Sequence, residues 1–259
     1  MTTNAKLFLG MTAAAAFCLA QLSQAQLDPR YKVHDMTRPA PVEIDPGTAS
    51  TPHEAGKAPS DAIVLFDGKD LSQWSDAKGQ PSQWKVEHGY FEVTPHNGDL
   101  VTKQAFGDMQ LHLEFAEPTP AVGESQGRGN SGVILMGQFE IQVLDSYHAA
   151  TYPDGQTAAV YGQYPPQVNA TRPPGEWQTY DIIFHGPRFD ASGNVTRKAR
   201  VTVLHNGVLV QDNVEIEGIT AQEPTGYKVV PEKLPLHLQD HHNPVRYRNI
   251  WVRELGPGQ

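Results

Sequence analysis

Between Gly127 and Ser146 a Gly/Asn turn leads into an alternating stretch that carries Glu140, Gln142 and, just past its end, Asp145. Phe139, Ile141 and Val143 fall on one face of an extended chain, so Gln138, Glu140 and Gln142 share the other. Alternate side chains on a strand stand roughly 7 Å apart, a spacing at which neighbouring polar groups can jointly hold one sugar-sized ligand. Asp145 is out of step by one position, and a bulge near Leu144 would return its carboxylate to the Glu140 face. Two carboxylates beside one groove can serve as acid and base, provided burial or a carboxylate neighbour raises the pKa of one of them.

The elements that must position these groups are short strands. From Ala62 onward alternating runs follow one another, separated by Gly, Pro, Asn and Asp, and no segment keeps a helical period for three turns. In Met109–Phe115, Met109, Leu111, Leu113 and Phe115 face inward and leave Gln110, His112 and Glu114 on the opposite face. His205-Asn206-Gly207-Val208 predicts a two-residue hairpin turn, because Asn-Gly tolerates the positive φ angles required. This pattern predicts an all-β sandwich or jelly roll in a single domain. The longest stretch without a strand, Ser146 to Gly175, is rich in Tyr, Pro and Gly and reads as a lid offering flat surfaces to a ring. Trp177 follows it and is the tryptophan placed to stack on a sugar, whereas Trp74, Trp84 and Trp251 read as core aromatics. Asp190-Ala191-Ser192-Gly193-Asn194 lacks the glycine and distal glutamate of an EF-hand and reads as a turn.

Composition narrows the partners. Residues 1–25 hold one charge, Lys6, an Ala-rich apolar run from Leu7 to Leu22 and a small-residue exit, the pattern of a secretory signal cut before Gln26. The run is too short for a membrane span, and the expected location is periplasmic or secreted. The only cysteine, Cys18, lies inside that signal, so thiol catalysis, disulfides and cysteine zinc sites are excluded from the mature chain. Net charge is −9, or −10 once Lys6 is removed, which argues against nucleic acid as a partner. Residues 26–60 are Pro-rich and read as a linker or surface arm, and 61–256 as the folded domain.

Taken in order, Leu65-Phe66-Asp67-Gly68-Lys69-Asp70-Leu71 with Trp74, Gly129-Asn130-Ser131-Gly132, Phe139 to Ser146, Ala159-Val160-Tyr161-Gly162, Pro174-Gly175-Glu176-Trp177, His205-Asn206-Gly207, and Leu238-Gln239-Asp240-His241 with Arg248-Asn249-Ile250 form a series. It resembles the bacterial 3-keto-disaccharide hydrolase family, from about Ile63 to Leu255. The resemblance implies a concanavalin A-like jelly-roll sandwich and a cleft surrounded by Glu140, Gln142, Asp145, Gln239, His241 and Arg248, with Asn130 and Tyr161 at its rim. His242 departs from the family, which usually has Gly there.

The activity so implied is cleavage of 3-keto-glycosides. The C3 carbonyl acidifies the hydrogen on C2, and the C1 substituent then leaves by elimination; hydration of the C1–C2 double bond completes a net hydrolysis. His241 suits proton abstraction at neutral pH. Glu140 or Asp145 could be the acid, and Arg248, or a divalent cation held by carboxylate and imidazole, the oxyanion stabiliser. Arg248 also shares parity with Ile250 and Val252, the pattern of a structural arginine paired to a carboxylate. With no dinucleotide fingerprint in the chain, there is no nicotinamide cofactor, and the oxidation that makes the keto sugar belongs to a separate glycoside 3-dehydrogenase. Two other readings compete: a classical retaining glycosidase, disfavoured because Gln142 stands between the acids, and a non-catalytic carbohydrate-binding module.

Overall fold

The two-residue alternation of Met109–Ala116 buries Met109, Leu111, Leu113 and Phe115 completely, and the same rule buries Phe139, Ile141 and Val143 from the other side of a shared core. In the computed structural model, which describes Arg30, His34 and residues 36–256, these stretches lie in two packed antiparallel sheets. The described strands begin with β1 (Ile63–Phe66), β2 (Trp74–Ser75), β3 (Lys85–Glu87), β4 (Tyr90–Glu92) and β5 (Leu100–Phe106). Next come β6 (Met109–Ala116), β7 (Ser131–Leu135), β8 (Phe139–Val143), β9 (Gln178–His185) and β10 (Arg188–Phe189). The last are β11 (Val195–Arg197), β12 (Arg200–His205), β13 (Val208–Glu215), β14 (Leu234–Leu238) and β15 (Arg246–Glu254).

The larger sheet runs β13-β12-β9-β6-β15-β4-β3 with β1 also on β15, and the smaller runs β2-β5-β14-β7-β8. Their inner faces are tied by side chains as well as by apolar contact. Tyr180 on β9 donates to the Gln142 carbonyl on β8 (2.6 Å), and Tyr247 on β15 donates to Ser131 Oγ on β7 (2.7 Å). Both hydroxyls are buried and so require such partners. The expected hairpin joins β12 to β13, with Asn206 at φ 53° and Gly207 at φ 77°. Asp190 to Asn194 is a turn, closed by Ser192 and Asn194 amides on Asp190 Oδ1 (2.9 and 2.8 Å). This is the jelly-roll sandwich of the concanavalin A-like class.

From Ile44 to the C-terminus the chain forms one compact unit, and the described residues before it form another whose side chains are exposed. Residues 1–25, read above as a secretory signal, lie outside the described residues. No described helix is long and apolar enough to cross a membrane.

Residues 44–60 lie against the outer face of the larger sheet, and this contact explains where Arg248 went. A register shift between Arg248 and Trp251, with Asn249 at φ 48°, breaks the parity that linked Arg248 to Ile250 and Val252. Tyr247, Ile250 and Val252 face the core, while Arg248 turns outward and donates to Glu114 Oε2 (2.7 Å) and to the Thr51 carbonyl (2.7 Å). Ser50 is hydrogen-bonded to Glu114, and Asn249 donates to Ser50 Oγ (3.0 Å). His112 bridges Asp181 (2.7 Å) and Glu114 (3.5 Å) with its ring stacked on Trp251. Arg248 therefore pairs with a carboxylate, as the structural reading had it, but far from the cleft face of β8.

Burial opposes ionisation of Glu114, yet hydrogen bonds from His112, Ser50 and Asn249 and the charge of Arg248 together hold its pKa down at about 2. Removing one partner leaves a buried carboxylate uncompensated. Arg248→Ala is expected to cost about 3–5 kcal/mol in urea unfolding, and the paired change Glu114→Gln with Arg248→Met to recover most of that loss. A single substitution costing less than about 1 kcal/mol would mean that water or the arm compensates the charge.

Candidate functional site

The outer face of the smaller sheet carries a cleft of about 360 Å³ lined by Asn130, Glu140, Gln142, Tyr161, Gln239 and His241, with Gln126, Gln138 and the 219–222 loop completing its walls. The alternation of β8 accounts for its floor: Phe139, Ile141 and Val143 are in the core, so Glu140 and Gln142 must look outward. Gly132 and Ile134 are their cross-strand partners on β7. At Gly132 the side chain is absent for a steric reason, since a Cβ there would stand 2.4 Å from Glu140 Oε1. The carboxylate thus lies down over the neighbouring strand.

Backbone contacts hold Glu140 from both sides. Its N–H donates to Thr220 Oγ1 (2.8 Å), and its carbonyl accepts from the Tyr161 N–H (3.1 Å). The region 146–175 is no free lid in this structure: Ala158, Ala159 and Val160 are buried, the Gln142 N–H on the strand edge donates to the Ala159 carbonyl (3.0 Å), and the Ala158 N–H donates to the Gln142 carbonyl (2.9 Å). It delivers Tyr161 to the cleft wall, where the Tyr161 hydroxyl meets that of Tyr152 at 2.9 Å.

Glu140 is 8 % exposed. Burial, with the negative charge of Asp99 as a smaller addition, raises its pKa to about 7. The Gln142 amide nitrogen donates to Gln126 Oε1 (2.9 Å) in one orientation and to Glu140 Oε1 (3.1 Å) when the amide is reversed. A carboxyl poised near neutrality in a concave site can either release or accept a proton.

A second property of the cleft is its surplus of acceptors. The buried side-chain oxygens of Asn130, Gln138 and Gln239 have no hydrogen-bond partner among the described residues. Asn130 is anchored by its amide nitrogen, which donates to the Gln126 carbonyl (2.7 Å), leaving Oδ1 for something else. Buried acceptors are rarely left unmet, because each costs about 1–3 kcal/mol. All three residues line the cleft, a lining that suits a ligand rich in hydroxyl donors. Among the described residues no three His, Cys, Asp or Glu side chains converge as a metal site built from those residue types alone requires.

Three expected site residues are elsewhere. Asp145 is not returned to the Glu140 face by a bulge; it turns beneath the 127–129 loop, fully buried, accepting from Arg128 Nε (2.6 Å) and from the Tyr147 N–H (3.1 Å). The basic partner, Arg128 in the loop before β7, decides its direction. Arg248 is under the arm, as described. Trp177 lies with it on the outer face of the larger sheet, its ring covered by the Arg248 guanidinium at 4.3 Å, so no ring face is presented to the cleft. Conversely, Gln126, Thr220 and Gln222 were not singled out from the sequence. Gln126 sits in the Gly-rich turn before β7, and the 219–222 loop arrives from a distant part of the chain with no periodic signal of its own. Gln138 lines the cleft on the face of Glu140, where its parity put it.

Residues 61–253 match the family model described as the 3-keto-alpha-glucoside-1,2-lyase-like domain. A crystal structure of a candidate glycosyl hydrolase from Parabacteroides distasonis is similar over 95 % of this chain and 100 % of its own, with 42 % identity and a TM-score of 0.81. A second structure so described from the same organism, at 20 % identity, covers 76 % of this chain and 94 % of its own with a TM-score of 0.56, a likeness of fold alone. No match is found among curated proteins.

The raised pKa of Glu140 has a stability consequence. From an ordinary value of 4.5 to about 7 in the fold, the folded chain holds the proton more tightly, so stability is full below pH 4.5 and falls as pH rises through 7. The penalty is roughly 3 kcal/mol at pH 8. Glu140→Gln cannot ionise and is expected to melt above the parent at pH 8 and close to it at pH 4.5. A melting difference that is the same at both pH values would show that the carboxylate ionises without penalty.

Proposed function

Because the chain belongs to the 3-keto-alpha-glucoside-1,2-lyase-like family, we propose that its cleft cleaves 3-keto-glycosides by C2 proton abstraction and loss of the C1 substituent. Family membership and the 42 % identical relative support a carbohydrate-acting enzyme. The observation that carries the finer reading is Glu140, a buried carboxyl with pKa about 7 on the floor of a cleft whose free acceptors suit sugar hydroxyls.

In this mechanism His241, exposed at the cleft rim, takes the C2 proton. The electron pair of that C–H bond forms the C1–C2 double bond, conjugated with the C3 carbonyl, as the C1–O bond breaks. Protonated Glu140 gives its proton to the departing oxygen, which leaves as the alcohol. Tyr161, on the cleft wall, would donate to the C3 oxygen as negative charge gathers there. Hydration reverses the proton flow: water adds at C1 with Glu140 taking its proton, and His241 returns a proton to C2. The C3 carbonyl must be made beforehand by a dehydrogenase acting on the same glycoside. Glu140 alone, with Asp145 paired to Arg128 away from the cleft, supplies one carboxyl where a retaining glycosidase needs two about 5–5.5 Å apart. Export belongs to the same reading, and a mature N-terminus at Gln26 is its expected mark.

The test is aglycone release from a 3-keto-glucoside and from its unoxidised parent. Release from the keto sugar alone is expected. Glu140→Gln should lower turnover by about 10²–10⁴, with sugar binding by calorimetry largely kept. Release from the parent alone would instead indicate an ordinary glycosidase, and equal losses of binding and turnover in the variant would point to a binding module.

A further inference from the structure

Next to the cleft lies a second cavity of about 420 Å³, lined by Pro118, Ala121, Val122, Pro244 and His242 over the Arg128–Asp145 pair. The two share a wall. Gln126 and Asn130 face the cleft and Gly127 to Gly129 the second cavity, while His241 faces one and His242 and Asn243 the other. Hydrogen bonds close that wall: the Gly129 N–H donates to Asn243 Oδ1 (3.0 Å), and Asn243 Nδ2 donates to the His241 carbonyl (2.8 Å). A substituent on a ring held in the cleft has only this ridge to cross.

The chemistry of the two cavities differs. In the cleft three buried amide oxygens lack partners. In the second cavity the polar groups are already matched inside the protein: Arg128 with Asp145 (2.6 Å) and the Tyr147 carbonyl (3.4 Å), Asp145 also with the Tyr147 N–H (3.1 Å), and Asn243 at both ends of its amide. What is left to meet a ligand is mostly apolar, apart from the outer edge of the Arg128 guanidinium and the His242 ring. Val122 is 73 % exposed at its lip, with Ala121 and Pro244 exposed beside it. His242 adds a flat surface. It is held at φ 64°, a conformation that favours the Gly usual in the family, and its ring lies on that of His96 with centroids 4.3 Å apart.

We propose that this cavity is the leaving-group subsite and that it takes a flat, apolar aglycone in preference to a second sugar. A second sugar would need free acceptors for its hydroxyls, and the side-chain oxygens of this lining are already engaged, whereas an aromatic ring gains by covering Val122 and the two prolines. The inference rests on the proposed 3-keto-glycoside reading for its substrate, and on the lining alone for its selectivity.

The experiment uses Val122→Asp in the whole chain, a change at an exposed loop position outside the cleft. Turnover of 4-nitrophenyl and methyl 3-keto-α-glucosides is compared between parent and variant, so that intrinsic leaving-group ability cancels. The expected result is a roughly tenfold fall in kcat/KM for the aryl substrate, carried by KM, with the methyl substrate within about twofold. Equal falls for both, or none for either, overturn the subsite. A binding arm by calorimetry uses the unoxidised 4-nitrophenyl and methyl α-glucosides. Tighter aryl binding that Val122→Asp removes upholds the subsite even if no keto sugar is turned over, in which case only the proposed reaction falls. Aryl binding no tighter than methyl binding in the parent overturns it.

Discussion

A strand offers alternate residues to opposite sides, and in β8 both sides are committed. Phe139, Ile141 and Val143 belong to the sandwich core, so Glu140 and Gln142 have nowhere to go but the cleft floor. A slip of one residue would bury a carboxylate in the core and expose three apolar side chains, which makes the register of β8 costly to change. The core thus does the positioning. The inter-sheet bond from Tyr180 to the Gln142 carbonyl fixes the same strand from beneath, and the tight passage over Gly132 fixes the Glu140 side chain from the side.

Two buried carboxyls on opposite faces of the molecule show how surroundings select a role. Glu114 is enclosed by a cation, a histidine and two neutral donors, and is held ionised beneath the arm. Glu140 has burial without a cationic partner, and its charge is disfavoured by Asp99. The first arrangement fastens residues 50 and 51 to the sheet; the second keeps a proton exchangeable near neutral pH. Neither behaviour can be read from the residue type.

That contrast also marks how far the sequence could be read. Alternation located β6 and β8, because it reports a two-sided environment that the core enforces, and Asn206-Gly207 located the β12–β13 hairpin. It also put Glu140, Gln142 and Gln138 on one face. Parity failed at Arg248 because Asn249 occupies a left-handed backbone conformation, and a single such residue reverses the facing of what precedes it without any trace in hydrophobic pattern. Asp145 was misplaced because its direction is set by Arg128, a partner in another loop, and Trp177 because the cation over its ring comes from β15. Short strands such as β2, β10 and β11, of two or three residues, contain too few positions for a period to show. The 219–222 wall of the cleft is a matter of loop path, which local composition does not encode.

β8 is also the last strand of its sheet, and such a strand ordinarily presents free backbone groups to any passing chain. Here Ala158, Ala159 and Tyr161 occupy those groups along the length that carries Glu140 and Gln142. The segment that shapes one wall of the cleft is therefore also a cap against self-association. Damage to it would link loss of chemistry to loss of solubility, and variants that loosen residues 158–161 should be recovered as aggregates before they are recovered as inactive monomers.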